Sequence, residues 1–133
     1  KLSLWPESGE NLKMISDLTP SAKPGSFIVT GEKPLMVFDL PAANASQLRS
    51  ISIEPAILDP DGFKPELYWR SPNEDFSEAK KLAFDCSRNN CRIALYDHPR
   101  WLFSGPLAQI RIHFPPPVKS FKLRSIDLEL GKN

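Results

Sequence analysis

The sequence has no excess of one charge, no long apolar run and no glycine-rich phosphate loop. Lys and Arg number 17 against 16 Asp and Glu, a formal net charge of +1. That balance offers no basic field for a phosphate backbone, and none of the motifs of nucleic-acid-binding folds occurs, so nucleic acid is not an expected partner. No apolar stretch is long enough to make a membrane-spanning helix, and no signal peptide is visible. The chain starts at Lys1 without a Met, so a processed protein or a piece of a larger one is expected, with a leader or anchor left open. Catalytic signatures are missing too. Ser104-Gly105 lacks the GxSxG nucleophile turn. Glu66, Glu74, Asp75 and Glu78 show no pairing across a scissile bond of the kind a glycosidase needs. Asp97 and His98 are adjacent, which does not orient an imidazole–carboxylate pair. A non-enzyme is expected, with no cofactor and no metal.

Only two cysteines occur, Cys86 and Cys91. They cannot form a four-ligand zinc site, and His98 and His113 lack finger-like spacing. Both lie in the arms of an apparent hairpin, Leu82–Cys86 and Cys91–Tyr96. Cys86 keeps phase with Leu82 and Phe84, and Cys91 with Ile93 and Leu95, so their side chains can meet across the turn. A short-loop disulfide would place the chain in an oxidising compartment, periplasmic or extracellular, including as part of a membrane-anchored protein. Two buried free thiols are the alternative.

Proline is abundant: the 14 prolines fall between the apolar runs, which suits short strands joined by ordered loops and not long helices. The strand signal is strongest near the end. In LAQIRIHF, Ile110, Ile112 and Phe114 share one face while Gln109, Arg111 and His113 share the other. After PPPVKS, the run FKLRSIDLEL changes phase, and a bulge near Arg124-Ser125 would return Phe121, Leu123, Ile126, Leu128 and Leu130 to one side. This pair of strands is expected to close the fold. Earlier strands are expected near Ser26–Thr30, Leu35–Leu40, Arg49–Glu54 and Glu66–Arg70, with Ile51, Ile53, Leu67 and Trp69 inward. DPDG at 59–62 reads as a turn, and DHPRWLFSGP as a loop or helical turn. The expected fold is all-β, a β-sandwich or jelly roll of about eight antiparallel strands in one domain over 1–133, with 1–24 a less regular N-terminal segment.

Trp101, Gly105, the strand QIRIHF and the final FKLRSIDLEL together resemble the last part of galactose-binding-like jelly-roll domains, a group that includes many carbohydrate-binding modules. ELYWRS resembles their mid-domain strand. The chain is also similar to accessory domains of bacterial surface-polysaccharide enzymes. The resemblance implies a noncatalytic module that binds a glycan or positions a polysaccharide-processing enzyme. His113 stands where related domains often have an acidic residue, and Pro115-Pro116-Pro117 where they often have glycine. Such domains often carry structural calcium; Asp39, Asp59 and Asp61 are available, but their spacing is not that of a calcium loop.

Two residue groups are candidates for ligand contact. The first is the cluster Tyr96, Asp97, His98, Arg100 and Trp101, which joins planar polar groups to aromatic rings in one loop. In the structural alternative, Trp101 plugs the sandwich and Asp97 pairs with Arg100. The second is the outward set Tyr68, Arg70, Arg111 and His113, a glycan platform or a surface packed against a parent-protein domain or membrane-complex partner; the structural alternative is a solvated face whose long side chains cover apolar area. The competing interpretation of the whole chain is a structural or protein-interaction domain with no ligand site. Trp69, Phe38, Phe84 and Phe114 are assigned to the core. Asn44-Ala45-Ser46 forms an N-glycosylation sequon.

Overall fold

Alternating apolar and polar residues bury one face of a strand and leave the other for solvent, and that pattern organises the molecule. A computed structural model describes residues 2–5, 12–21, 26–53, 56–59, 64–87, 90–114, 119–123 and 126–130. These form three sheets, with every strand pair antiparallel. The first sheet runs β1 (Leu2–Trp5), β14 (Ile126–Leu130), β6 (Leu48–Ile53), β11 (Asn90–Ala94) and β10 (Asp85–Ser87). The second runs β2 (Leu12–Ser16), β5 (Leu35–Asn44), β12 (Pro106–His113), β8 (Glu66–Arg70) and β9 (Lys81–Ala83). The third runs β3 (Leu18–Pro20), β4 (Ser26–Val29), β13 (Ser120–Leu123) and β7 (Ala56–Asp59). The single α-helical turn among the described residues is α1 (Pro99–Leu102), opened by a proline at its first position.

One core joins the sheets. The second contributes Met36, Phe38, Leu67, Trp69, Ile110 and Ile112; the first contributes Ile51, Ile53, Ile93, Ile126 and Leu128. From the third sheet, Phe27 and Phe121 pack at 5.4 Å between ring centroids, and Phe121 stacks on Phe114 at 3.9 Å. The residues assigned to the core, Phe38, Trp69, Phe84 and Phe114, are all fully buried.

The all-β antiparallel sandwich is as expected, but the strands number fourteen among the described residues and not about eight. The excess has a physical cause: the chain changes sheet part-way along runs that read as single strands. Lys81–Ser87 is one such run. Its first part pairs with β8 in the second sheet, its last part with β11 in the first, and buried Phe84 is the pivot, its N–H donating to the Pro65 carbonyl. Only the later half of the anticipated hairpin arm therefore faces β11. The final two runs are not a pair either. β12 lies between β5 and β8, β13 between β4 and β7, and β14 between β1 and β6. The phase change there coincides with a move from the third sheet to the first. The anticipated bulge at 124–125 lies outside the described residues, as does the Pro115–Pro117 connection.

The N-terminal segment is more regular than its sequence suggests, for it supplies β1, β2 and β3. Between β2 and β3, Asp17 takes a left-handed φ of 57° and turns the chain from the second sheet to the third. Its carboxylate accepts from the Lys33 N–H at 2.9 Å, and its carbonyl from the Thr30 N–H. Gly31 passes directly against that carboxylate, where a methyl group would collide with it.

Candidate functional site

The outer face of the second sheet is built by register. Across β5, β12, β8 and β9, one row reads Leu35, His113, Glu66, Ala83 and the next Val37, Arg111, Tyr68, Lys81. A third, over three strands, reads Asp39, Gln109, Arg70. Alternation alone thus brings Tyr68, Arg70, Arg111 and His113 onto one face. With Glu66, Phe114 and residues 32–34 and 76–78, Tyr68, Arg111 and His113 line a cleft of about 370 Å³, and Arg70 lies outside it.

Arg111 occupies the centre. Its guanidinium lies 4.8 Å from the Tyr68 ring centroid and 4.5 Å from that of Phe76, so aromatic faces hold it by cation–π attraction. The His113 and Tyr68 rings are 4.5 Å apart. Burial, and then the neighbouring Arg111 charge, push the His113 imidazole down to about 4, so it is neutral at neutral pH. Burial also lowers the Arg111 guanidinium from its ordinary value. The Tyr68 hydroxyl is raised first by burial and then by its hydrogen bond to Glu78, and the same bond lowers the Glu78 carboxyl. Lys81 bridges Glu66 at 3.4 Å and Glu78 at 3.5 Å. At the floor of this arrangement, Arg111 Nε and His113 Nε2 are buried and have no hydrogen-bond partner among the described residues.

Arg70 is spent on architecture. Its Nε and Nη2 donate to Gln109 Oε1 at 3.0 and 2.8 Å, and Nη1 donates to the Ser71 and Glu74 carbonyls. Gln109 in turn donates to Asp39 at 2.7 Å. This polar row fastens the start of the segment that carries Phe76 over the cleft. Lys80 bonds Glu74 further along the same segment.

The loop cluster is not gathered in this way. Trp101 is 0% exposed, its indole N–H donates to the Ala45 carbonyl at 3.0 Å, and its ring meets Trp69 edge-on at 5.1 Å. Its ring faces no solvent, so it packs as core and is not placed to stack on a sugar. Arg100 donates to the Ala79 carbonyl at 2.9 Å and not to Asp97. Tyr96 is 44% exposed, and Arg49 lies 5.2 Å from its ring. Asp97 is exposed and His98, half-buried, opens α1. Cys86 and Cys91 are directly opposed across β10 and β11 and form a disulfide. Asp39 accepts from Gln109; the side chains of Asp59 and Asp61 lie outside what is described. The described residues contain no cluster of three or more metal-ligating side chains.

Phe76 and Lys81 were not foreseen as parts of a site, and Glu66 and Glu78 were weighed only as catalytic carboxylates. The available signal was Phe76 itself, an aromatic alone in the polar run SPNEDFSEAKK.

No protein-family model and no curated protein matches the sequence. Among solved structures, the chain is similar to one described as a low affinity xylan binding module, CBM86, from the xylanolytic gut symbiont Roseburia intestinalis. The TM-score is 0.58 over 98% of this chain and 93% of that one, at 14% identity. At such identity the likeness concerns the fold: this chain has a carbohydrate-binding-module-like β-sandwich.

Proposed function

We propose that this chain is a noncatalytic glycan-binding module whose binding surface is the cleft over Tyr68, Arg111 and His113. The observation that carries this reading is the cleft itself, where the Tyr68 and Phe76 rings stand beside the Arg111 guanidinium and the His113 imidazole. Aromatic faces and fixed polar groups side by side suit a sugar, which offers C–H faces and hydroxyls together. The xylan-binding description of the structural neighbour supports the same class of ligand. The disulfide supports a place outside the cytoplasm, where the module would hold a polysaccharide-processing enzyme near its substrate.

Affinity electrophoresis through gels containing xylan, and a panel of other soluble polysaccharides, tests the proposal. Wild-type protein is expected to be retarded by at least one. Arg111→Met, which keeps the stem and removes the donors, should weaken that retardation about tenfold or more. Tyr96→Ala, away from the cleft, should not. Unretarded wild type, or full retardation of folded Arg111→Met, would overturn it.

A further inference from the structure

We infer that the cleft selects an uncharged, hydroxyl-bearing sugar chain over one bearing carboxylates; the inference rests on the glycan reading of this site. Its walls contain donors and acceptors in close alternation. Arg111 and Lys33 bring N–H donors to the lining, and the Glu66 and Glu78 carboxylates offer acceptors on the same cleft. Glu78 is near enough to act on Tyr68, Lys81, Arg111 and His113 alike. A hydroxyl donates and accepts at once, and so can serve both kinds of wall. A carboxylate only accepts.

Charge points the same way. Glu32, Glu66 and Glu78 oppose Lys33 and Arg111 around the cleft, and Lys81 bridges two of those carboxylates from β9. Around the cleft the three cations are thus equalled in number by three carboxylates. A uronate at Arg111 would meet the field of the adjacent Glu78 with no spare positive charge to offset it. An uncharged sugar leaves the balance intact.

Calorimetric titration decides this. The neutral probes are hexasaccharides of xylose, glucose and mannose. The acidic probes are glucuronate-substituted xylohexaose and the hexamers of galacturonate and mannuronate. A neutral probe is expected to bind with an affinity that changes less than about twofold between about 0.05 M and about 0.5 M NaCl. Acidic probes should bind about tenfold more weakly at the lower salt, and Glu78→Gln should narrow that gap. Acidic probes binding as tightly as neutral ones, with affinity lost to salt, would overturn the selectivity. Binding by no probe of either kind would overturn the glycan reading, and the selectivity with it.

Discussion

His113 shows how a single residue in a sheet row sets what a surface can do. It stands opposite Leu35 and Glu66, with Arg111, Lys33 and Lys81 adding positive potential and Glu78 opposing it. In the folded chain the ring titrates at about 4, against an ordinary 6.5. Between those values the unfolded chain binds a proton that the folded chain refuses, so stability is fully present above the upper value and falls as pH drops toward the lower. Chemical denaturation across this window should show that loss in wild-type protein and a shallower one in His113→Gln. Equal slopes would mean that the imidazole is not held neutral. Two of the three tryptophans make a different point. Trp69 and Trp101 were legible as large apolar rings, yet only tertiary contact decides which rings face a ligand. Both are buried against each other.

The segment between β8 and β9 behaves as one unit because Arg70 ties it down at Ser71 and Glu74 and anchors it to Gln109. Arg70→Met retains the aliphatic stem and removes those bonds. It should lower stability by about 1–3 kcal/mol and speed amide hydrogen exchange at residues 71–76, with little change in β6. Unchanged exchange there would show that the segment is held by packing alone. At this scale the sequence was readable where alternation was long and central. β12 has the inward and outward faces its residues imply, and the set on β8 and β12 does converge; on β6 and β8 the apolar residues face inward as expected, but Ser50 and the expected-outward Tyr68 are buried as well. Readability failed for β2 and β3, which are sheet edges where alternation is weakly enforced. It failed also at each change of sheet. Periodicity reports which face of a strand is buried, not which sheet the strand joins.

For the whole molecule, the Cys86–Cys91 bond clips the edge strand β10 to β11. The closed loop is short, with the cysteines 5 residues apart. Chain-entropy arguments give such a crosslink about 2 kcal/mol. Reduction should add two hydrogen atoms to the intact mass and lower the denaturation midpoint without dismantling the core, in which no other disulfide takes part among the described residues. No mass change would remove the argument for an oxidising compartment. No helix of the described residues is long and apolar enough to cross a membrane.

The changes of sheet carry a kinetic consequence. Passing from β2 to β3, β6 to β7, β9 to β10 and β13 to β14, the chain leaves one sheet for another. The third sheet alone draws together residues 18–20, 26–29, 56–59 and 120–123. No sheet is a local piece of chain that can form first and wait for the rest. The entropy of closing long loops must be met before their contacts reward it, which places this fold among slow, all-or-none folders on a scale of milliseconds to seconds.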